Sequence, residues 1–165
     1  TILTTILTTK LPRSVVAKSE VTAVDLRRGA MDLLARREHS RQELQNKLGR
    51  RFDVEPERIS TVVEQLAQEG LQSNQRLAEA YLRYRSNRGQ GPLKIRAELR
   101  GKAVENDLID QAFNEANIDW FAQAVLVLHK RFGESPATDV TQQAKRARFL
   151  QQRGFSFDQI HAVNS

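Results

Sequence analysis

The chain contains no cysteine. A disulfide framework and a thiolate zinc site are therefore excluded, and the composition fits a reducing compartment. Proline and glycine are also scarce, with 4 and 8 residues among 165. No apolar run is long enough to cross a bilayer, so no membrane role is expected. His39, His129 and His161 are the only histidines, and they lie too far apart for a metal-ligand spacing. Gly89-Gln90-Gly91 lacks the Lys-Ser/Thr of a phosphate loop and follows a helical pattern, so it reads as a turn. Asp107 and Asp110 sit at a helix start, where carboxylates complement the helix dipole. No nucleophile, base and orienting group can be assembled. The expectation is a protein with no catalytic residues, no metal and no cofactor.

What remains is helix-forming sequence rich in Leu, Ala, Arg, Gln and Glu. From Asp25 to Arg37, Leu26, Ala30, Leu33 and Leu34 recur at helical spacing. Ser40 and Glu43 have capping-box spacing and open a second helix, with Leu44 and Leu48 as its stripe and Gly49 at its end. Pro56 opens a third, carrying Ile59, Val62, Val63 and Leu66 up to Gly70. The order then repeats. Ser73 caps a helix that presents Leu77, Ala80, Tyr81 and Tyr84 on one face, and the tyrosines read as core residues. Gly89 and Gly91 break it, and Pro92 opens a helix with Ile95 and Leu99 inward, closed by Gly101. Leu108, Ile109, Ala112 and Phe113 mark the next. The last group starts at Asp119 with a stripe of Phe121, Ala124, Val125 and Leu128. It continues after Asp139 with Ala144, Ala147, Phe149 and Leu150, and ends in a short helix from Ser156 with Ile160 and Val163.

Leu48, Leu99 and Leu150 each end the second helix of a group, in two steps of 51 residues. This period predicts an all-α chain of three tandem three-helix repeats, at 23–71, 72–117 and 118–165. Such units are too small to bury an apolar face well alone, so neighbours must help, and an elongated, curved array follows. Residues 1–22 lack helical periodicity and read as a tail outside the fold, disordered or added for expression.

Charge is unevenly placed. Residues 76–102 carry 8 Lys/Arg against 2 Asp/Glu, residues 1–75 carry 12 against 10, and residues 103–165 carry 6 against 8. The net charge of +6 therefore sits in the middle. Arg83, Arg85, Arg88, Lys94, Arg96, Arg100 and Lys102 surround the glycine turn and form the candidate binding site. Arginine forks suit phosphate or carboxylate, so a polyanion or an acidic groove is the expected partner. The plainer alternative is that arginine serves here as a soluble helix former.

The stretch from Tyr81 to Lys102, reading YLRYRSNRGQGPLKIRAELRGK, resembles the signature of the RecX family. Gln42-Glu-Leu-Gln-Asn-Lys-Leu48, Ile118-Asp-Trp-Phe121 and Arg148-Phe-Leu-Gln-Gln-Arg-Gly-Phe155 followed by Ile160 are similar to its other units. The likeness spans about residues 25–163. One departure stands at Gly70-Leu71-Gln72-Ser73-Asn74, where the family usually has Gly-Tyr-Leu-Asp-Asp. A Ser/Asn cap replaces the acidic pair.

The resemblance implies a non-enzymatic cytoplasmic regulator of the RecA recombinase, built as a curved array of three-helix units. It implies binding to RecA and to the RecA filament on single-stranded DNA, with inhibition of ATP hydrolysis and strand exchange. Weak nucleic-acid contact by the basic middle and a monomeric state are expected with it. Two alternatives are an autonomous DNA-binding protein with homeodomain-like modules and an RNA-binding or chaperone-like helical repeat.

Overall fold

The computed structural model of the chain describes residues 20–164. The described residues form nine α-helices and no strand. They are α1 (Ala23–Leu34), α2 (Arg41–Arg51), α3 (Pro56–Gln68), α4 (Asn74–Asn87), α5 (Pro92–Gly101), α6 (Asn106–Ala116), α7 (Trp120–Phe132), α8 (Val140–Arg153) and α9 (Phe157–Asn164). The tail reading falls almost wholly on residues 1–19, outside the described residues.

Local chemistry sets the helix starts. Thr22 with Asp25 and Ser40 with Glu43 form full capping boxes on α1 and α2. Ser73, Asp119 and Asp139 accept from backbone amides at the starts of α4, α7 and α8. Pro56 and Pro92 occupy the first turns of α3 and α5, where a missing N–H costs nothing. The repeat is also visible where α5 and α8 end. Ala103 and Gly154 both adopt positive φ, 58° and 95°, and Val104 and Phe155 donate back to Leu99 and Leu150 at 3.1 Å. The first unit closes differently, with Phe52 extended at φ −121° and donating to Leu48.

Helices pack chiefly within their own triplet. Each triplet has its own core: Leu26, Leu44, Leu48 and Leu66 in the first, Leu77, Leu82, Ile95 and Leu99 in the second, Ala124, Leu128, Leu150 and Phe155 in the third. Neighbours help less than the expectation required. Among the described hydrophobic residues only Trp120 packs against two cores, those of the second and third units, and it stacks on Phe113 at 5.8 Å.

Two expected core aromatics are exposed. Tyr84 is 54% accessible and Phe121 48%. Helix α4 packs on both α5 and α6, so its buried face is wide and centred between Ala78 and Tyr81, with Leu82 inside and Tyr84 at the margin. On α7 the buried residues are Ala124 and Leu128, with Trp120 half-buried against the same core, and Phe121 is left exposed.

The joint between the first and second units is polar. His39 is buried, with Nδ1 3.0 Å from the Arg37 carbonyl and Nε2 3.2 Å from Lys47 Nζ. The Gln72 amide donates to the His39 carbonyl and to Asn74 Oδ1, and Asn74 donates to Glu105. The Ser/Asn pair that departs from the family pattern is thus absorbed into capping and into this joint. At the other joint the contact is backbone on backbone. Gly91 N–H donates to the Arg153 carbonyl at 2.7 Å, and Leu93 N–H to the Gly154 carbonyl at 3.0 Å.

Candidate functional site

The seven basic residues singled out in the middle of the chain do not form one patch. Arg85 donates two hydrogen bonds to the Glu98 carboxylate, from Nε at 2.9 Å and from Nη2 at 2.7 Å, and Tyr81 donates its hydroxyl to the same carboxylate at 2.6 Å. Burial and that carboxylate push the Tyr81 phenol up to about 12. Arg96 pairs with Asp110 at 2.6 Å and lies 4.1 Å from the Phe113 ring centre, bracing α5 on α6. Lys102 pairs with Glu43 of the first unit at 2.7 Å. These three cations are already neutralised inside the molecule. The stem of Lys94 packs against Gly154. Arg83 and Arg100 are exposed and make no ion pair or side-chain hydrogen bond with a described residue.

Arg83 borders a groove that also holds Glu79 and Glu115, whereas Arg88 faces one without acids. The groove holds about 410 Å³ and runs between the end of α4 and the faces of α7 and α8. Arg88, Lys130, Arg131 and Arg153 line it, with no carboxylate among the lining residues. The guanidinium of Arg88 lies 5.3 Å over the Tyr84 ring and donates to its hydroxyl at 3.1 Å. Arg153 lies 5.3 Å over Phe149 and donates to the Arg88 carbonyl at 3.3 Å. The rings hold both guanidinium planes at the rim by cation–π contact. Leu126, 62% exposed, and Val127 give one wall an apolar surface.

Each cation also sits at or near a helix C-terminus, where it complements the dipole. That alone is an ordinary structural arrangement. Three helix ends bring roughly −0.5 charge each, so four full positive charges leave the groove net positive. A groove of this kind takes a phosphate or carboxylate chain. Among the described residues no cluster of His, Asp and Glu is suited to a metal ion.

Sequence reasoning missed Lys130, Arg131 and Arg153. The count over residues 103–165 hid them, because it adds the acids Glu105, Asp107, Asp110 and Glu115 of the second unit to a third unit that has 6 bases against 4 acids. Its own four acids lie elsewhere, Asp119 and Asp139 as caps, Glu134 in the loop after α7 and Asp158 in the first turn of α9. One signal was present: the 51-residue period carries Lys102 onto Arg153.

Comparison with known proteins places each triplet. Residues 27–66, 73–112 and 117–163 match the models of the first, second and third three-helix domains of RecX. The chain is 45% identical over 138 residues to the regulatory protein RecX of Halorhodospira halophila, covering 84% of this chain and 85% of that protein. It is 44% identical over 139 residues to the regulatory protein RecX of Pseudomonas entomophila, covering 84% and 89%. The fold superposes on the crystal structure of RecX from Lactobacillus salivarius with a TM-score of 0.71 and 24% identity, covering 86% of this chain and 93% of that one. The chain belongs to the RecX family, non-enzymatic regulatory proteins that inhibit the RecA recombinase.

Proposed function

We propose that this chain inhibits RecA by lying along its nucleoprotein filament, with the groove between the second and third units turned toward DNA phosphates. The observation that carries the reading is the convergence of Arg88, Lys130, Arg131 and Arg153 in a groove with no carboxylate among its lining residues. Cations already paired inside a protein gain little from a second anion, whereas these four retain most of their charge for a partner. Phosphate contact of this kind is weak, indifferent to base sequence and weakened by salt, because binding releases counterions. Three separately cored units joined end to end, an elongated and curved array with divisions at 71/72 and 117/118, offer contacts to more than one filament subunit. The chain acts as a monomer in the cytoplasm, without a cofactor.

Co-sedimentation with RecA assembled on single-stranded DNA tests this reading. The wild-type chain should pellet with the filament, and less of it as salt rises. The Arg88→Glu/Arg131→Glu variant, checked for helicity, should stay in the supernatant. Wild-type retention of that variant would remove the groove from the mechanism. Tight selection of one duplex sequence in the absence of RecA would favour the autonomous DNA-binding alternative.

A further inference from the structure

We infer that Gly91 and Gly154 are positioning residues for the basic groove: their backbone contact makes the second and third units one body and so sets the spacing of the groove's cations. The inference rests on the groove being the binding surface, but the contact can be tested separately.

The geometry leaves no room for a side chain at either position. A Cβ on Gly91 would stand 2.4 Å from the Gly154 carbonyl carbon and 2.5 Å from Phe155 N. A Cβ on Gly154 would stand 2.3 Å from that of Lys94, and its φ of +95° is strained for any L side chain. Such closeness lets the end of α8 cap the start of α5. The first amides of a helix have no partner within it. Here Gly91 N–H and Leu93 N–H, on either side of Pro92, donate to the Arg153 and Gly154 carbonyls, which are the unpaired acceptors at the end of α8. Two orphan sets satisfy one another, with the helix dipoles head to tail.

The same contact locates the groove. Arg153 supplies one of the clasping carbonyls through its backbone and a groove cation through its side chain, which reaches the Arg88 carbonyl at 3.3 Å. A shift between the units would therefore move Arg153 relative to Arg88 directly. The other joint is built differently. Apart from the chain turn itself, where Gln72 N–H donates to the Leu66 carbonyl, the hydrogen bonds that cross it, such as Lys102 to Glu43, Arg76 to Glu38, Gln72 to the His39 carbonyl and Arg41 N–H to Asn74, each use at least one side chain. Side chains can re-pair as a joint bends, whereas a backbone clasp between two glycines has one geometry.

Amide hydrogen exchange on the full chain is the first test. Gly91 and Leu93 should exchange slowly, unlike Glu57, which also borders the first-turn proline of a helix but lacks a cap of this kind. The second test exploits the cysteine-free sequence. Spin labels on Asn114→Cys and Thr141→Cys, exposed positions on α6 and α8, should give one narrow distance distribution. Gly91→Ala should broaden it and weaken binding to single-stranded oligothymidylate about tenfold through lost preorganisation. Gly101→Ala, with nothing within 4 Å of the added carbon, should change neither. Fast exchange at Gly91 and Leu93 would overturn the inference, and so would a folded Gly91→Ala chain with unchanged distances or unchanged affinity. If the alanine variant does not fold, the exchange rates decide. Failure of the wild-type chain to bind the oligonucleotide would instead count against the groove itself.

Discussion

Lys102 Nζ lies 2.7 Å from Glu43 Oε1, and this pair ties the end of α5 to the first turn of α2 across 59 residues of sequence. Glu43 is also the closing residue of the α2 capping box and accepts from Arg37 at 3.1 Å. One carboxylate thus serves a helix start, a loop and the joint between two units. Lys102, counted by sequence with the binding cations, is a strut.

The Glu43 carboxyl predicts acid sensitivity. Burial works to raise its pKa, but hydrogen bonds from Arg37, Lys102 and the Ser40 amide outweigh burial and hold it at about 2, against an ordinary 4.5. The folded value lies below the unfolded one, so this stabilisation is complete above about pH 4.5 and is lost as pH falls toward about 2. The loss should be on the order of 3 kcal/mol. His39, held neutral chiefly by burial, adds a loss of the same sign beginning below about pH 6.5. Urea unfolding across this range should show the low-pH slope, and Glu43→Gln should flatten it. A slope that survives the substitution would assign acid sensitivity to other groups.

Strut and groove cations should respond oppositely to truncation. Lys102→Ala leaves Glu43 short of a partner and should cost roughly 1–3 kcal/mol, between exposed and buried pairs, with oligonucleotide affinity unchanged in the folded fraction. Arg131→Ala should change stability by no more than about 0.5 kcal/mol. It should also lower affinity and reduce the salt slope by about 0.7, one single-strand phosphate contact. The reverse pattern would mean that the second unit, not the groove, meets the nucleic acid.

Leu99 is fully buried at the centre of the second core. Leu99→Ala should destabilise the chain by about 2–5 kcal/mol in chemical unfolding, the range for a truncated core leucine. A loss comparable to that of a surface site would contradict its place in the core.

The helices were legible because their signals are local. Caps at Ser40, Ser73 and Asp139 and breaks at Gly70 and Gly133 act within a turn or two of chain, and the 51-residue leucine period exposed the tandem order. The stripe of α4 was misplaced toward Tyr84 because periodicity gives a face but not its width, and two neighbours widened it. The site was half legible. Net charge located Arg88, but it could not tell which cations have partners, since Arg96 meets Asp110 and Lys102 meets Glu43 only after folding. The Gly91–Gly154 contact joins residues 63 positions apart and left no local trace.

Single-strand-dependent ATP hydrolysis by RecA tests the central claim most directly. It should be titrated with the wild-type chain, with Arg88→Glu/Arg131→Glu, and with Arg83→Glu/Arg100→Glu as a charge-matched control outside the groove, each first shown to be helical. The wild-type chain should suppress hydrolysis below one molecule per RecA, because one array spans a stretch of filament. The control should inhibit nearly as well, and the groove variant should require far higher concentrations. Equal inhibition by the groove variant, or an unchanged hydrolysis rate at saturating wild-type chain, would contradict the account.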